Sequence, residues 1–311
     1  MLKGAFQNSS AILKIVLSAL TIIIVFFIFL FIGLLIAVPV FGLNLENYNS
    51  YLNLSDPQNL NFLKYLQIIQ STGLFIIPSI LIAYFLGKNI FSFLKLDIKP
   101  LPIILGLSLI TLIFAMPIIG FLGEINSKMK LPEFLTGLEQ WMQNMEDSTA
   151  GLMENFLKTS KINALIVNVF MVGIIAGIGE ELMFRGVIQK IFTDWTKNVH
   201  AGTIITAILF SAMHLQFYGF LPRLFLGLFL GYLLVWSGSL WMPIIVHIIY
   251  NSFAVVLYYL FEGGSISTDP GSMETGGNLI YTVILSLVLT GSMIYLINKK
   301  SVLLTNSKKT L

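Results

Sequence analysis

"INALIVNVFMVGIIAGIGEELMFRG", residues 162–186, decides how the rest of the chain is read. Through Ile178 the run is apolar except for Asn163 and Asn168, and then Glu180, Glu181 and Arg185 follow within six positions. About 20 apolar residues suffice to cross the hydrocarbon core of a bilayer. A charged side chain at that depth costs several kcal/mol by itself, so these three need partners or a task.

The same apolar pattern recurs outward from this stretch. Runs of spanning length occupy 11–42, 65–87, 101–122, 162–184, 201–218, 222–238, 242–261 and 278–297. Of the 311 residues, 56% are hydrophobic and 11% charged, and the mean hydropathy is +0.87; soluble domains carry roughly 25% charged residues. The composition predicts an all-α, polytopic membrane helix bundle of about eight transmembrane helices. It would be integral to the membrane, the plasma membrane if the host is bacterial. The first run is much longer than a signal-peptide core and ends without a small-residue cleavage pattern, so it reads as a retained helix.

Orientation follows from where Lys and Arg fall among short connections. With the N-terminus inside, the segments on that side hold Lys3, Lys14, Lys88, Lys95, Lys99, Lys190, Lys197, Lys299, Lys300, Lys308 and Lys309 against Asp97 and Asp194. The other side holds Glu46, Asp56, Glu124, Glu133, Glu139, Glu146, Asp147, Glu154, Glu262, Asp269 and Glu274, against Lys64, Lys128, Lys130, Lys158, Lys161 and Arg223. Both termini are therefore expected in the cytoplasm. The absence of Cys removes disulfides, thiolate metal sites and a cysteine nucleophile.

Three stretches organise the chain: 1–160, N-terminal membrane helices with an amphipathic segment on the outer side; 161–262, the chemically distinctive core; and 263–311, a last helix with a basic tail. Residues 43–64 read as a polar connection, and 259–278 as a Gly/Ser loop. In 123–160, Phe134, Leu135, Leu138, Trp141, Met142 and Met145 recur at helical spacing between carboxylates. That suits either a helix lying on the membrane surface or a hairpin packed on its own protein. Gly173 with Gly177, and Gly227 with Gly231, are small residues four apart in apolar helices, a spacing that lets helix backbones approach. There is no internal repeat and no nucleic-acid signature, so the expected partners are the lipid bilayer and whatever the core acts on.

Few polar residues remain at membrane depth, among them Glu180, Glu181, Arg185, His214, His247 and Asn251. Glu181 precedes Arg185 by four positions, the favourable order for a helical ion pair, and this pair reads as structural. Glu180 is turned about 100° away on the helix and cannot share Arg185 equally, which makes it the candidate general base. It lies 17 residues before a turn near Lys197, and His214 lies 17 after it, so antiparallel helices would bring the two to one depth. Phe210 and His214 share one helix face, as do His247 and Asn251. His247 counts out nearer the cytoplasmic end than His214, which a short or tilted intervening helix would reconcile.

"EELMFR", "FSAMH" and "HIIYN", in that order on three separate helices, resemble the CPBP family of intramembrane proteases, which includes CAAX prenyl endopeptidases and bacterial Abi proteins. The resemblance covers about 160–255 and departs from none of the three motifs. It implies hydrolysis of a peptide bond in a membrane-associated peptide or protein. By that likeness Glu180 activates water, His214 helps hold it, and His247 with Asn251 stabilise the oxyanion, while Glu181, Arg185 and Phe210 support the site. Two chemistries follow from the likeness: a zinc site of His214, His247 and Glu180, or a metal-free glutamate mechanism.

Rival classes fit less well. An aspartyl intramembrane protease needs two Asp at depth, but Asp56, Asp97, Asp147, Asp194 and Asp269 all fall at or beyond helix ends. A serine dyad from Ser211, Ser237 or Ser239 would leave Glu180 without a role. A non-catalytic scaffold or a transporter using the buried ionisable groups is the remaining alternative.

Overall fold

The computed structural model describes residues 2–43, 57–267 and 279–307. Among these every regular element is helical. The connections at 44–56 and 268–278, with Glu46, Asp56, Asp269 and Glu274, lie outside the described residues, as do Lys308 and Lys309.

α1 (Ala11–Phe41) starts at an N-cap Ser10 that accepts from Leu13 N and stops at a left-handed Gly42. Only Ser18, Val25, Gly33 and Ala37 are buried along it, and much of its apolar surface is left exposed for lipid. α2 (Asn59–Leu86), α3 (Pro102–Ser127), the amphipathic α4 (Thr136–Leu157), α5 (Ile162–Thr196), α6 (Val199–Met213), α7 (Phe220–Ser237), α8 (Trp241–Glu262) and α9 (Ile280–Leu303) follow. Seven helices among the described residues are long and apolar enough to cross a membrane. The bundle is thus the polytopic all-α architecture that the composition predicts.

Two features differ from the sequence reading. The fifth apolar run, 201–218, holds a short helix: α6 has 15 residues, roughly 22 Å of rise, less than the ~30 Å hydrocarbon thickness. The 43–64 connection becomes helical at Pro57, so Lys64 lies within a helix and is 5% exposed, its Nζ donating to Asn168 Oδ1 (2.7 Å). That bond replaces the water a loop lysine would have had. Arg223, counted from sequence among the outer-side charges, lines the cavity described below, which is compatible with that side. As the turn read near Lys197 requires, α5 runs on past its apolar stretch to Thr196.

Glycines set which helices touch. A Cβ on Gly177 would meet Ile248 Cγ1 of α8 at 2.9 Å, and one on Gly173 would collide with Ser252, so α8 packs directly on the backbone of α5. Gly231 stands the same way against Thr203 of α6 (2.8 Å), and Gly227 against Ala207 and Phe210. α5, α6, α7 and α8 are drawn together by these contacts. Leu182, Met183, Phe184 and Val187 of α5, Phe210 of α6, Leu234 of α7 and Leu240 with Ile244 fill the core beside them.

Candidate active site

The site begins with how α5 is wound. Around Ala176–Glu181 the helix is ordinary, but Val169–Ile175 before it and Leu182–Ile188 after it are wider, with Gln189 N bonding the Phe184 carbonyl five residues back. Such wide turns inside α-helices are frequently found at functional sites. Here they flank the two adjacent carboxylates.

Glu181 and Arg185 are fully buried and paired, Nη1 to Oε1 at 2.6 Å. Arg185 also donates through Nη2 to the Gly227 carbonyl (3.1 Å) and lays its guanidinium over the Phe210 ring, 4.5 Å from the centroid. His247 Nδ1 donates to the same Glu181 Oε1 (2.8 Å). One carboxylate oxygen therefore ties α5 to α8, and its arginine ties α5 to α6 and α7. The sequence order predicts the pair; the histidine on the same oxygen is set by tertiary packing and is not visible in it.

Glu180 is the freer carboxylate, its side chain 14% exposed, with Oε2 3.8 Å from His247 Nε2. His214 caps the end of α6, where Nδ1 donates to the Phe210 carbonyl (2.8 Å). Both histidines thus have Nδ1–H engaged, which leaves each Nε2 lone pair unused while the ring is neutral. Phe210 packs edge-on against Phe184, His214 and His247 and so fixes both imidazole planes. Asn251 donates through Nδ2 to the Val172 carbonyl (3.1 Å). Glu180, His214, His247 and Asn251 line one cavity of about 500 Å³, with α4 residues such as Met153 and Phe156 forming part of its wall. His214 and His247 line this one cavity together, despite the difference in depth counted from sequence.

Arg223 also faces this cavity, with Gln216 and Tyr250. Its guanidinium donates to the Gln216 carbonyl (2.8 Å) and Oε1 (2.6 Å) and makes no ion pair among the described residues. Sequence reasoning missed it as a site residue, although an arginine directly after a Pro at the start of an apolar helix was a usable signal. Arg223 lies in the first turn of α7 and braces the irregular turn before it, 214–219, in which Leu215 takes a positive φ of 53°. Irregular backbone at membrane depth must be satisfied by protein. Asn126 donates to the Phe217 carbonyl and accepts from Leu221 N, and Glu146 of α4 accepts from Tyr218 N.

The donor set for a metal is short. Among the described residues no three His, Cys, Asp or Glu side chains form a group able to hold an ion, whereas catalytic zinc takes three protein ligands. The three serines considered from sequence are occupied: Ser211 donates to the Phe220 carbonyl, Ser237 to Leu233 and Ser239 to Ile98.

A buried glutamate and arginine pair, a second carboxylate, two oriented histidines and an asparagine on separate membrane helices define a class: polytopic membrane proteins with an intramembrane glutamate–histidine centre. Residues 162–253 match the family described as Type II CAAX prenyl endopeptidase Rce1-like, a match consistent with the likeness to the CPBP family read from the three motifs. It is similar to a protein of Escherichia coli described as an uncharacterized 24.3 kDa protein, 32% identical over 101 residues. That stretch is 30% of this chain and spans 46% of the relative. No solved structure matches the chain.

Proposed function

We propose that the chain is an intramembrane endopeptidase that hydrolyses a peptide bond of a membrane-associated peptide or protein. The observation that carries this reading is the convergence of Glu180, His214, His247 and Asn251 on one cavity walled by membrane helices. A water between Glu180 and the His214 Nε2 lone pair would donate one hydrogen to each and turn its own lone pair to the scissile carbonyl. Glu180 takes the proton as general base, a step worth typically 10²–10⁴-fold in rate. His247 Nε2, beside Glu180, is placed to receive that proton and to donate it toward the oxyanion and then the leaving amine. Asn251 spends one Nδ2 hydrogen on Val172 and has the second for the oxyanion. Glu181 and Arg185 hold His247 in place and do not touch substrate.

The chemistry we propose is of the glutamate type, supported by the donor geometry: Glu181 is committed to Arg185 and His247, and Glu180 works best as base when it ligates no ion. Purified protein should keep its turnover in a strong chelator and lose none on removal of zinc; loss restored by zinc would establish the metal mechanism instead.

The cavity wall includes α4 and the 214–219 turn, at the end of the bundle away from the N-terminal segment. With the lysine-rich end in the cytoplasm, the cavity opens on the opposite side, and the substrate enters from there. Cleavage of a membrane-peptide library, farnesylated CAAX peptides included, read by mass spectrometry with wild type, Glu180→Ala and His214→Ala, tests the reading. Products formed by wild type alone support it and give the cut site. Equal products from all three would reject the assignment, and none from any would favour a scaffold or transporter.

A further inference from the structure

At the opposite end of the bundle lie two adjoining cavities for which proteolysis has no use. One, about 280 Å³, is lined by Lys95, Lys190, Gln189 and Thr193 and reaches Arg185, whose charge Glu181 already pairs; the other, about 420 Å³, by Lys14, Lys88, Lys190, Gln7, Asn8 and Asn89. Phe93, Lys190 and Asp194 line both, and the Lys190 ammonium rests on the Phe93 ring, 5.4 Å from its centroid. Four ammonium groups thus face the pair of cavities against one carboxylate, and none of the four forms an ion pair among the described residues.

The walls are fixed in advance of any ligand. Lys95 sits at φ 54°, a left-handed conformation that costs a non-glycine residue about 1 kcal/mol or more and persists only where the surroundings impose it. Three bonds impose it here: Leu240 N donates to the Lys95 carbonyl (3.1 Å), Trp241 Nε1 to Leu96 (2.9 Å) and Ser239 Oγ to Ile98. The N-terminal segment is anchored likewise, Gly4 N to the Tyr84 carbonyl (2.9 Å) and Phe6 N to Phe85 (3.1 Å). Lys95 is exposed overall, yet desolvation beside the cavity, and then repulsion from Lys190, holds its ammonium below the ordinary lysine pKa. An anion between the two lysines would relieve that repulsion.

We propose that this pair of cavities binds a phosphate-bearing anion. A phosphate brings formal negative charge and several acceptor oxygens, which ammonium groups meet as point charges and Asn, Gln and Thr side chains meet as hydrogen-bond donors. Lys299 and Lys300, exposed on α9 and lining neither cavity, are the ordinary juxtamembrane lysines with which to compare it. The phosphate arrives either on the headgroup of an anionic lipid or as a soluble ion. Trp241 and Phe91, 40% and 63% exposed, flank the 94–98 loop as aromatic residues do at the headgroup level.

The test uses the full purified chain, with native mass spectrometry counting bound phosphatidylglycerol against phosphatidylcholine, and melting temperature recorded with and without inorganic phosphate. Lys95→Gln/Lys190→Gln should weaken phosphatidylglycerol binding about thirtyfold, while Lys299→Gln/Lys300→Gln leaves it within about twofold. Should the first pair fail to fold, Lys14→Gln/Lys88→Gln serves instead. Lysine-dependent stabilisation by inorganic phosphate without lipid preference supports the site and makes its ligand soluble. Equal loss in the cavity and control pairs, or no binding of either source, overturns the proposal.

Discussion

Glu180 and Glu181 are neighbours in sequence and opposites in circumstance. Glu181 is fully buried, shares one oxygen between Arg185 and His247, and ties α5 to α8; Glu180 looks into the cavity and, among the described residues, has no hydrogen bond to hold it. Removing one partner of a buried ion pair leaves an uncompensated charge, a loss of about 3–5 kcal/mol. Arg185→Ala and Glu181→Ala are therefore expected to lower both the yield and the melting temperature in detergent. Glu180→Gln should melt like wild type. Equal melting of all the variants would remove the structural role given to the pair. The split between the two carboxylates was legible in the sequence, because four-residue spacing favours Glu181 over Glu180 as the partner of Arg185. The bond from His247 to Glu181 was not, since 66 residues separate them and only the packing of α8 on α5 closes the gap.

At the scale of elements, glycine is what lets that packing happen. Gly177→Leu would push Ile248, and with it His247, away from the carboxylates, and overpacking of this kind typically costs 1–3 kcal/mol. Activity should fall further than stability does, because the His247 to Glu181 bond depends on the approach. Gly106→Ala in α3, where nothing lies within 4 Å, is the control and should be neutral or slightly stabilising. If both changes behave alike in a melting and activity comparison, the close approach of α5 and α8 is not what builds the site. The sequence announced these glycine pairs and most helices, for they rest on local spacing and hydropathy. It misjudged α6 and the start of α2. The apolar run 201–218 continues through a turn that Asn126 and Glu146 stabilise from other helices, and hydropathy does not register such remote partners.

For the whole molecule, the chain lacks cysteine, so single introduced cysteines report orientation directly. Ser148→Cys on exposed α4 should react with a membrane-impermeant maleimide on intact cells, and Ala5→Cys only after permeabilisation. The reverse pattern would turn the cavity toward the cytoplasm and change the substrate side while leaving the chemistry intact. The central claim is that Glu180 activates water for peptide hydrolysis, and its most direct test compares kcat/KM of wild type and Glu180→Gln on a peptide that wild type cleaves, at matched melting temperature. The account predicts a fall of about 10²–10⁴-fold in the variant; an unchanged kcat/KM would contradict it.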